Sequence, residues 1–224
     1  MTIAHLLLFF QMPSLSSILK IGLSNNCSNF AVMKEKQAIC VYCASSALID
    51  QSYIDAAFEM GALIADSGNA MVCGAGRTGL MRAVIDGTLS RKGKAIGVIP
   101  QFMVDNGWHH PQLSHMEVTP DMHIRKETMA RLSHTVIAMP GGCGTLEELL
   151  EIITWRQLGL FDGKIIILNT NNYFGPLLTM LQNCIDEGFM KKDHKNIWAV
   201  ANTPAEAIEI AINGNNDFTL SSKY

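Results

Sequence analysis

The sequence predicts an α/β protein with a Rossmann-like, doubly wound parallel sheet and helices on both faces. From Ala38 onward, short and nearly continuous apolar runs alternate with longer segments of helical spacing. Strands that read as apolar throughout, instead of alternating with polar residues, are buried on both faces, as in a parallel sheet. The loops at several strand ends are rich in glycine and hydroxyl residues, and folds of this class hold ligands beyond the carboxyl ends of their strands.

Taken in order, Ala38–Cys43 is the first expected strand, followed by a helix over Ser52–Ser67 with Ile54, Ala57, Phe58, Leu63 and Ile64 at helical spacing. Ala70–Cys73 is a strand and Gly79–Ser90 a helix, and Ala95–Ile99 is a third strand stopped by Pro100. Residues 101–121 are mixed and polar, with a short edge strand near Met116–Val118. Met122–Leu132 suits a helix, and Thr135–Met139 is a strand ended by Pro140. Thr145–Gly159 is expected to be an amphipathic helix, with Leu146, Leu149, Leu150, Ile153 and Leu158 on one side. Ile165–Asn169 is the next strand and Phe174–Glu187 the next helix, and Ile197–Val200 is a short apolar piece. In the last helix, Thr203-Pro204-Ala205-Glu206 reads as cap, first turn and capping-box glutamate.

A chain of 224 residues is long enough for one buried α/β core and short for two. With 48% hydrophobic and 17% charged residues it is globular in composition. A net charge of −3 gives no basic excess for a nucleic-acid partner, and no Lys/Arg stripe suggests a single-stranded-DNA-binding relative of this fold. Cys40-x-x-Cys43 lies in an expected strand, where odd spacing sends the side chains to opposite faces, and no second pair completes a zinc site. Buried free thiols in a reducing cytoplasm are the expectation, with no metal and no cofactor.

Residues 1–32 are set apart as a non-core extension. Leu6–Phe10 is too short to span a bilayer, no Lys or Arg precedes it as in a signal peptide, and Asn25–Asn29 has no periodicity. Residues 33–214 are expected to form a single nucleotide-binding catalytic domain, and 215–224 a short tail. No membrane association is expected.

Three loops could hold a phosphate. Cys43-Ala44-Ser45-Ser46 offers small residues and two hydroxyls, although a Ser-rich turn would look the same. Gly74-Ala75-Gly76-Arg77-Thr78-Gly79 is a G-x-G-x-x-G between strand and helix. It follows the second strand instead of the first, and the next strand ends in Gly97-Val98-Ile99-Pro100-Gln101 without the acidic residue that a dinucleotide ribose requires, which argues against NAD. Pro140-Gly141-Gly142-Cys143-Gly144-Thr145 is the most informative loop, because three glycines just before a helix make a nest of backbone N–H groups for an anion. No lysine follows its last glycine, so it is not a P-loop.

Pro140-Gly141-Gly142-x-Gly144-Thr145-x-x-Glu148 resembles the P-G-G-x-G-T-x-x-E signature of the Lonely Guy family of cytokinin-activating phosphoribohydrolases. Cys43-x-Ser45-Ser46, Gly79-Leu80-Met81, Gly97-Val98-Ile99-Pro100, Met122-His123-x-Arg125-Lys126-x-x-Met129 and Thr154-Trp155-x-Gln157-Leu158-Gly159 match in the same order. The resemblance spans residues 38 to about 190. It implies hydrolysis of the N-glycosidic bond in N6-modified adenosine monophosphates, and of AMP itself, to free base and ribose 5-phosphate. It makes Arg125 and Glu148 the catalytic pair and puts Ser46, Gly74, Gly76, Gly79, Met122, Lys126, Gly141, Gly142, Gly144 and Thr145 around a nucleoside monophosphate. It also implies a homodimer, with Trp155 and the Met122–Leu132 helix as contact regions. The family's older label, lysine decarboxylase, implies a pyridoxal phosphate lysine, and no lysine here stands in a recognisable cofactor motif. Many members have G-G-G where Gly74-Ala75-Gly76 stands, and a glycine in place of Arg82, so Arg82 could bring a charge near the site.

Chemically, cleavage of a ribosyl–purine bond develops oxocarbenium character, which a carboxylate stabilises while activating water. Glu148, expected in the first helical turn, would be held ionised by the helix dipole. Thr145-x-x-Glu148 reads equally as a capping box, with Glu148 merely satisfying a backbone N–H. Arg125 holds its proton and can only orient or bind. Asp121 and His123 are near in sequence, but the group that protonates the leaving base is unassigned. A non-catalytic nucleotide- or cofactor-carrying module on the same fold is the alternative, since fold does not fix function.

Overall fold

The computed structural model describes residues 38–214, so the expectations for residues 1–32 and 215–224 lie outside the described residues. Seven strands form one parallel sheet: β1 (Ala38–Tyr42), β2 (Ala70–Cys73), β3 (Ala95–Pro100), β4 (His115–Thr119), β5 (Thr135–Ala138), β6 (Lys164–Leu168) and β7 (Trp198–Ala201). Their order is β4-β3-β2-β1-β5-β6-β7, and Val41 lies in register between Cys73 and Ile137. The chain therefore winds outward from β1 in one direction and restarts at β5 in the other. The switch point lies between β1 and β5, where a crevice opens at the strand ends.

The helices are α1 (Gln51–Asp66), α2 (Gly79–Ser90), α3 (Gln101–Asp105), α4 (Met122–Arg131), α5 (Cys143–Leu158), α6 (Gly175–Asp186) and α7 (Pro204–Asn213). One sheet face packs Ile39, Val41, Met71, Cys73, Ile137 and Ile166 into a core with α1, α2 and α7. Strand residues of the opposite parity, such as Cys40, Val72, Ile96, Val136 and Ile165, are buried as well. Both faces are covered, as the unbroken apolar strands require. Cys43 joins the first core and Cys40 does not, so the odd spacing does separate them, and both thiols are free and buried.

Two elements differ from expectation. The polar stretch after Pro100 contains α3, a single-turn helix without buried residues, so it carries no apolar periodicity to announce it. Helix α5 begins at Cys143, with Gly142 as its N-cap, two residues before the expected start. Glycines are poor helix formers and conceal such a start. Only part of its expected apolar face is covered: Leu149 and Ile153 are buried with Ile152, while Leu150 and Leu158 are exposed. The last helix keeps its cap. The Thr203 hydroxyl accepts from the Glu206 N–H at 3.2 Å, and the Glu206 carboxylate reaches back to the Asn202 N–H at 2.7 Å. Among the described residues, no helix is long and apolar enough to cross a membrane.

Candidate active site

Three strand-end loops meet at the switch point. The Ala44 N–H donates to the Pro140 carbonyl at 3.2 Å, joining the β1 loop to the β5 loop. On the other side the Thr78 hydroxyl donates to the Ser45 carbonyl at 2.7 Å, and the Met81 N–H to the Ala44 carbonyl at 3.2 Å. Gly79 makes this approach possible: its φ is +62°, and a Cβ there would stand 2.3 Å from the Ser46 carbonyl oxygen. Gly79→Ala should therefore cost about 2 kcal/mol, more than left-handed backbone alone. A denaturant melt that moves by less than half of that would show the contact to be slack.

The loops enclose a cavity of about 640 Å³. The β1 loop contributes Cys43 to Ser46, the β2 loop Gly74 and Gly76 to Thr78, and α2 contributes Met81. Helix α4 contributes Met122 and Arg125, and the β5 loop with α5 contributes Gly142, Gly144, Thr145, Glu147 and Glu148. Gly142 and Gly144 are open on their Cβ side, with no atom within 4 Å. The first turn of α5, a sixteen-residue helix, thus presents its N–H groups and dipole to the cavity. Thr145 is buried beneath that turn, in the space that the absence of a Cβ on Gly141 leaves. Gly141 itself does not line the cavity, and its carbonyl accepts from the Tyr173 hydroxyl at 2.7 Å.

Arg125 and Glu148 are paired inside the cavity. The Arg125 Nη1 donates to the Glu148 Oε1 at 2.9 Å, and its Nε donates to the Val98 carbonyl at 3.0 Å. Both side chains are nearly inaccessible, at 6% and 11% exposure. Gly74 makes room for the guanidinium, since a Cβ there would lie 1.9 Å from the Arg125 Nη2. Glu148 sits in the second turn of α5, not the first, and helix α5 has no side-chain cap. The capping-box reading is thereby overturned, because the carboxylate is spent on Arg125 instead of a backbone N–H. The reason for expecting its ionised form is also corrected, because the helix dipole acts chiefly within the first turn. Burial pushes the Glu148 carboxyl up from the ordinary carboxylate range, and the Arg125 charge and hydrogen bond only partly oppose it. A carboxyl raised in this way can exchange a proton during a reaction.

Lys126 points elsewhere. It does not line the cavity, and its Nζ bonds Glu147 and, at 3.1 Å, Glu151, so it braces α4 against α5. Arg82 also turns away, with its Nε 3.2 Å from Asp86 and its side chain largely exposed, and brings no charge to the cavity. Ala75 takes a left-handed φ of 65° and is fully buried, so its methyl faces inward and leaves the cavity unchanged. Asp121 caps α4 by accepting the Ile124 N–H at 2.8 Å, His123 is exposed, and neither lines the cavity.

Ile99, Met103 and Trp108 form an apolar lining that the sequence did not disclose. Trp108 and Met103 belong to the polar stretch after β3, which long-range backbone bonds hold over the β2 loop. The Arg77 N–H donates to the Trp108 carbonyl at 3.1 Å, and the His110 N–H to the Ala75 carbonyl at 2.8 Å. A tryptophan between polar neighbours was the one local signal.

Residues 81–211 match a family described as possible lysine decarboxylase. A cytokinin riboside 5′-monophosphate phosphoribohydrolase of Arabidopsis thaliana is 37% identical over 171 residues, covering 76% of this chain and 80% of that one. Another of the same name from Oryza sativa subsp. japonica is 38% identical over 170 residues, covering 76% and 70%. The chain belongs to the Lonely Guy family. Among solved structures, the molybdenum cofactor binding protein of Rippkaea orientalis aligns with a TM-score of 0.61 and 21% identity over 79% of this chain and 96% of its own. A Moco carrier protein of Chlamydomonas reinhardtii aligns at 0.60 with 22% identity over 78% and 94%. At those identities the likeness is one of fold. The Lonely Guy signature itself ends at Glu148, the residue that the structure pairs with Arg125.

Proposed function

We propose that this protein hydrolyses the N-glycosidic bond of N6-modified adenosine 5′-monophosphates, giving the free base and ribose 5-phosphate. The observation that carries this reading is the buried Arg125–Glu148 pair beside the open N-terminus of α5. A 5′-phosphate on the glycine nest would be held by backbone N–H groups, with Thr145 and Ser46 at the same loops. The carboxylate of Glu148 then stabilises the oxocarbenium-like sugar and accepts a proton from the attacking water. The water oxygen bonds to the anomeric carbon, the glycosidic electron pair leaves with the base, and one proton of that water ends on the base. Arg125 orients Glu148 through its Nη1 bond and its Nε anchor on the Val98 carbonyl.

The family relationship and the buried Arg125–Glu148 pair at the cavity together favour a hydrolase over a carrier. Incubation with AMP and with isopentenyladenosine monophosphate, followed by chromatography, should show released base. No release from either would overturn the reading. Unmodified AMP as a second substrate is part of the proposal, because the lining for an N6 substituent is apolar and makes no demand for one.

Binding energy from the phosphate should be needed to orient the scissile bond. The nucleoside should therefore be cleaved with kcat/KM lower by about a hundredfold or more than its 5′-monophosphate. Comparable values would remove the phosphate site from the mechanism.

We also infer a cytoplasmic homodimer. The free, buried thiols of Cys40, Cys43 and Cys73 suit a reducing compartment. Exposed Leu150 and Leu158 on α5, in line with a groove that Trp155 borders, suit a subunit contact.

A further inference from the structure

We propose that Asp86 and His110 are positioning residues for base selection, acting through Trp108; the proposal rests on the nucleotide site described above. Trp108 lines the cavity yet is half exposed, and its ring meets only Phe102 edge-on at 6.5 Å among the described aromatic rings. With about half of its surface open, the indole is only partly held by side-chain packing. Its place depends on the path of the backbone, which enters through Gly107 at a left-handed φ of 66°.

The exit of that segment is locked by His110. Its side chain is only 5% exposed. The Gln112 N–H donates to its Nδ1 at 3.2 Å, which leaves the proton on Nε2, facing the Asp86 Oδ1 at 3.1 Å. The other Asp86 oxygen accepts from the Arg82 Nε at 3.2 Å. A buried imidazole satisfied at both nitrogens sets the orientation of residues 108–110, and the bridge from His109 to Gly76 carries that orientation to the phosphate loop. Asp86 stands on α2, whose N-terminus begins at the same loop. The pair thus ties the apolar wall to the element that frames the sugar-phosphate side. The ligand feature that this wall can sense is the base and its N6 substituent, because an indole face offers stacking and apolar contact and no charge.

Without the pair, Trp108 should drift while Arg125 and Glu148 stay in place. The expected signature is a KM for isopentenyladenosine monophosphate raised about tenfold, with kcat and the constants for AMP much less altered; displacing a catalytic group would cost nearer a hundredfold. The variants are Asp86→Ala and His110→Asn, which remove the bond between them, and Asp86→Asn, which keeps an acceptor for the Nε2 proton. Steady-state constants for both nucleotides are compared with calorimetric affinities measured in a Glu148→Gln background, together with melting temperatures.

Loss of preference in Asp86→Ala and His110→Asn, with rescue in Asp86→Asn, supports the proposal. An unchanged ratio between the two nucleotides overturns it, as does an equal loss for both that follows the melting temperature. Failure of the Glu148→Gln protein to bind either nucleotide overturns it together with the nucleotide site. If no base is released but the affinity contrast persists, the hydrolase reading falls and the positioning role stands.

Discussion

Glu148→Gln should lower turnover by about a hundredfold or more while leaving the fold intact. The amide keeps an oxygen that can accept from the Arg125 Nη1, so the buried guanidinium is not stranded. In the proposed mechanism, what disappears is the negative charge that faces the developing oxocarbenium ion and the site that accepts the proton of water. Stability should follow the sign of the Glu148 shift. Burial raises the folded-state value above the unfolded one, so the folded protein binds the proton more tightly. The contribution of this group to stability is therefore greatest at low pH and declines as pH rises through the interval between the two values. Glutamine has no such dependence, so the variant should melt at or slightly above the parent at neutral pH, with the gap closing as the solution is acidified. Glu147→Gln is the control, because Glu147 bonds Lys126 and not Arg125. Turnover of Glu148→Gln near the parental rate would end the proposed mechanism. Equal losses from both variants would leave the choice between the two carboxyl groups open to the pH profile.

Arg125→Met should be harmful in a different way. It removes the only cation bonded to Glu148 among the described residues, along with the donor to the Val98 carbonyl. Breaking a buried pair from one side typically costs about 3–5 kcal/mol, because the remaining charge is left without compensation. Glu148 should respond by binding a proton, which moves the acidic limb of the rate profile upward and lowers the rate at neutral pH by roughly a hundredfold. The double variant Arg125→Met with Glu148→Gln is the decisive comparison. Removing the stranded carboxylate should restore part of the lost stability but none of the activity. If the double variant is less stable than Arg125→Met, the loss comes from packing of the arginine stem and not from a stranded charge.

Much of the fold was legible in the residues because a parallel sheet imposes a simple pattern. Ala70–Cys73 and Gly79–Ser90 were read to the residue, since each is bounded by glycine or by a sharp change of polarity. Arg125 and Glu148 were legible as a pair only through the family resemblance. They are 23 residues apart and meet across two helices, and no local periodicity encodes such a contact. The phase of α5 was misread because Gly142 caps it without a side chain, which shifted Glu148 from the second turn to the first. Lys126 was expected at the nucleotide, but its Nζ answers to Glu147 and Glu151 on α5, partners whose proximity the sequence does not show. Trp108 was missed for the same reason. Its position is set by backbone bonds to residues about 30 positions earlier, in the Gly74–Gly79 loop.

The glycines around the cavity fall into two classes with different evolutionary freedom. Gly74 and Gly79 answer to neighbours within the protein, the Arg125 guanidinium and the Ser46 carbonyl, and any side chain there collides whatever nucleotide is bound. Gly142 and Gly144 have ordinary backbone and nothing within 4 Å of a Cβ, so the fold would accept alanine at both. Only the phosphate proposed to sit beside them has reason to refuse it. Selection for a substrate with a smaller or absent phosphate should therefore find its first solutions at residues 142 and 144, leaving 74 and 79 untouched, and a library restricted to the first pair would alter ligand preference with little loss of folded protein.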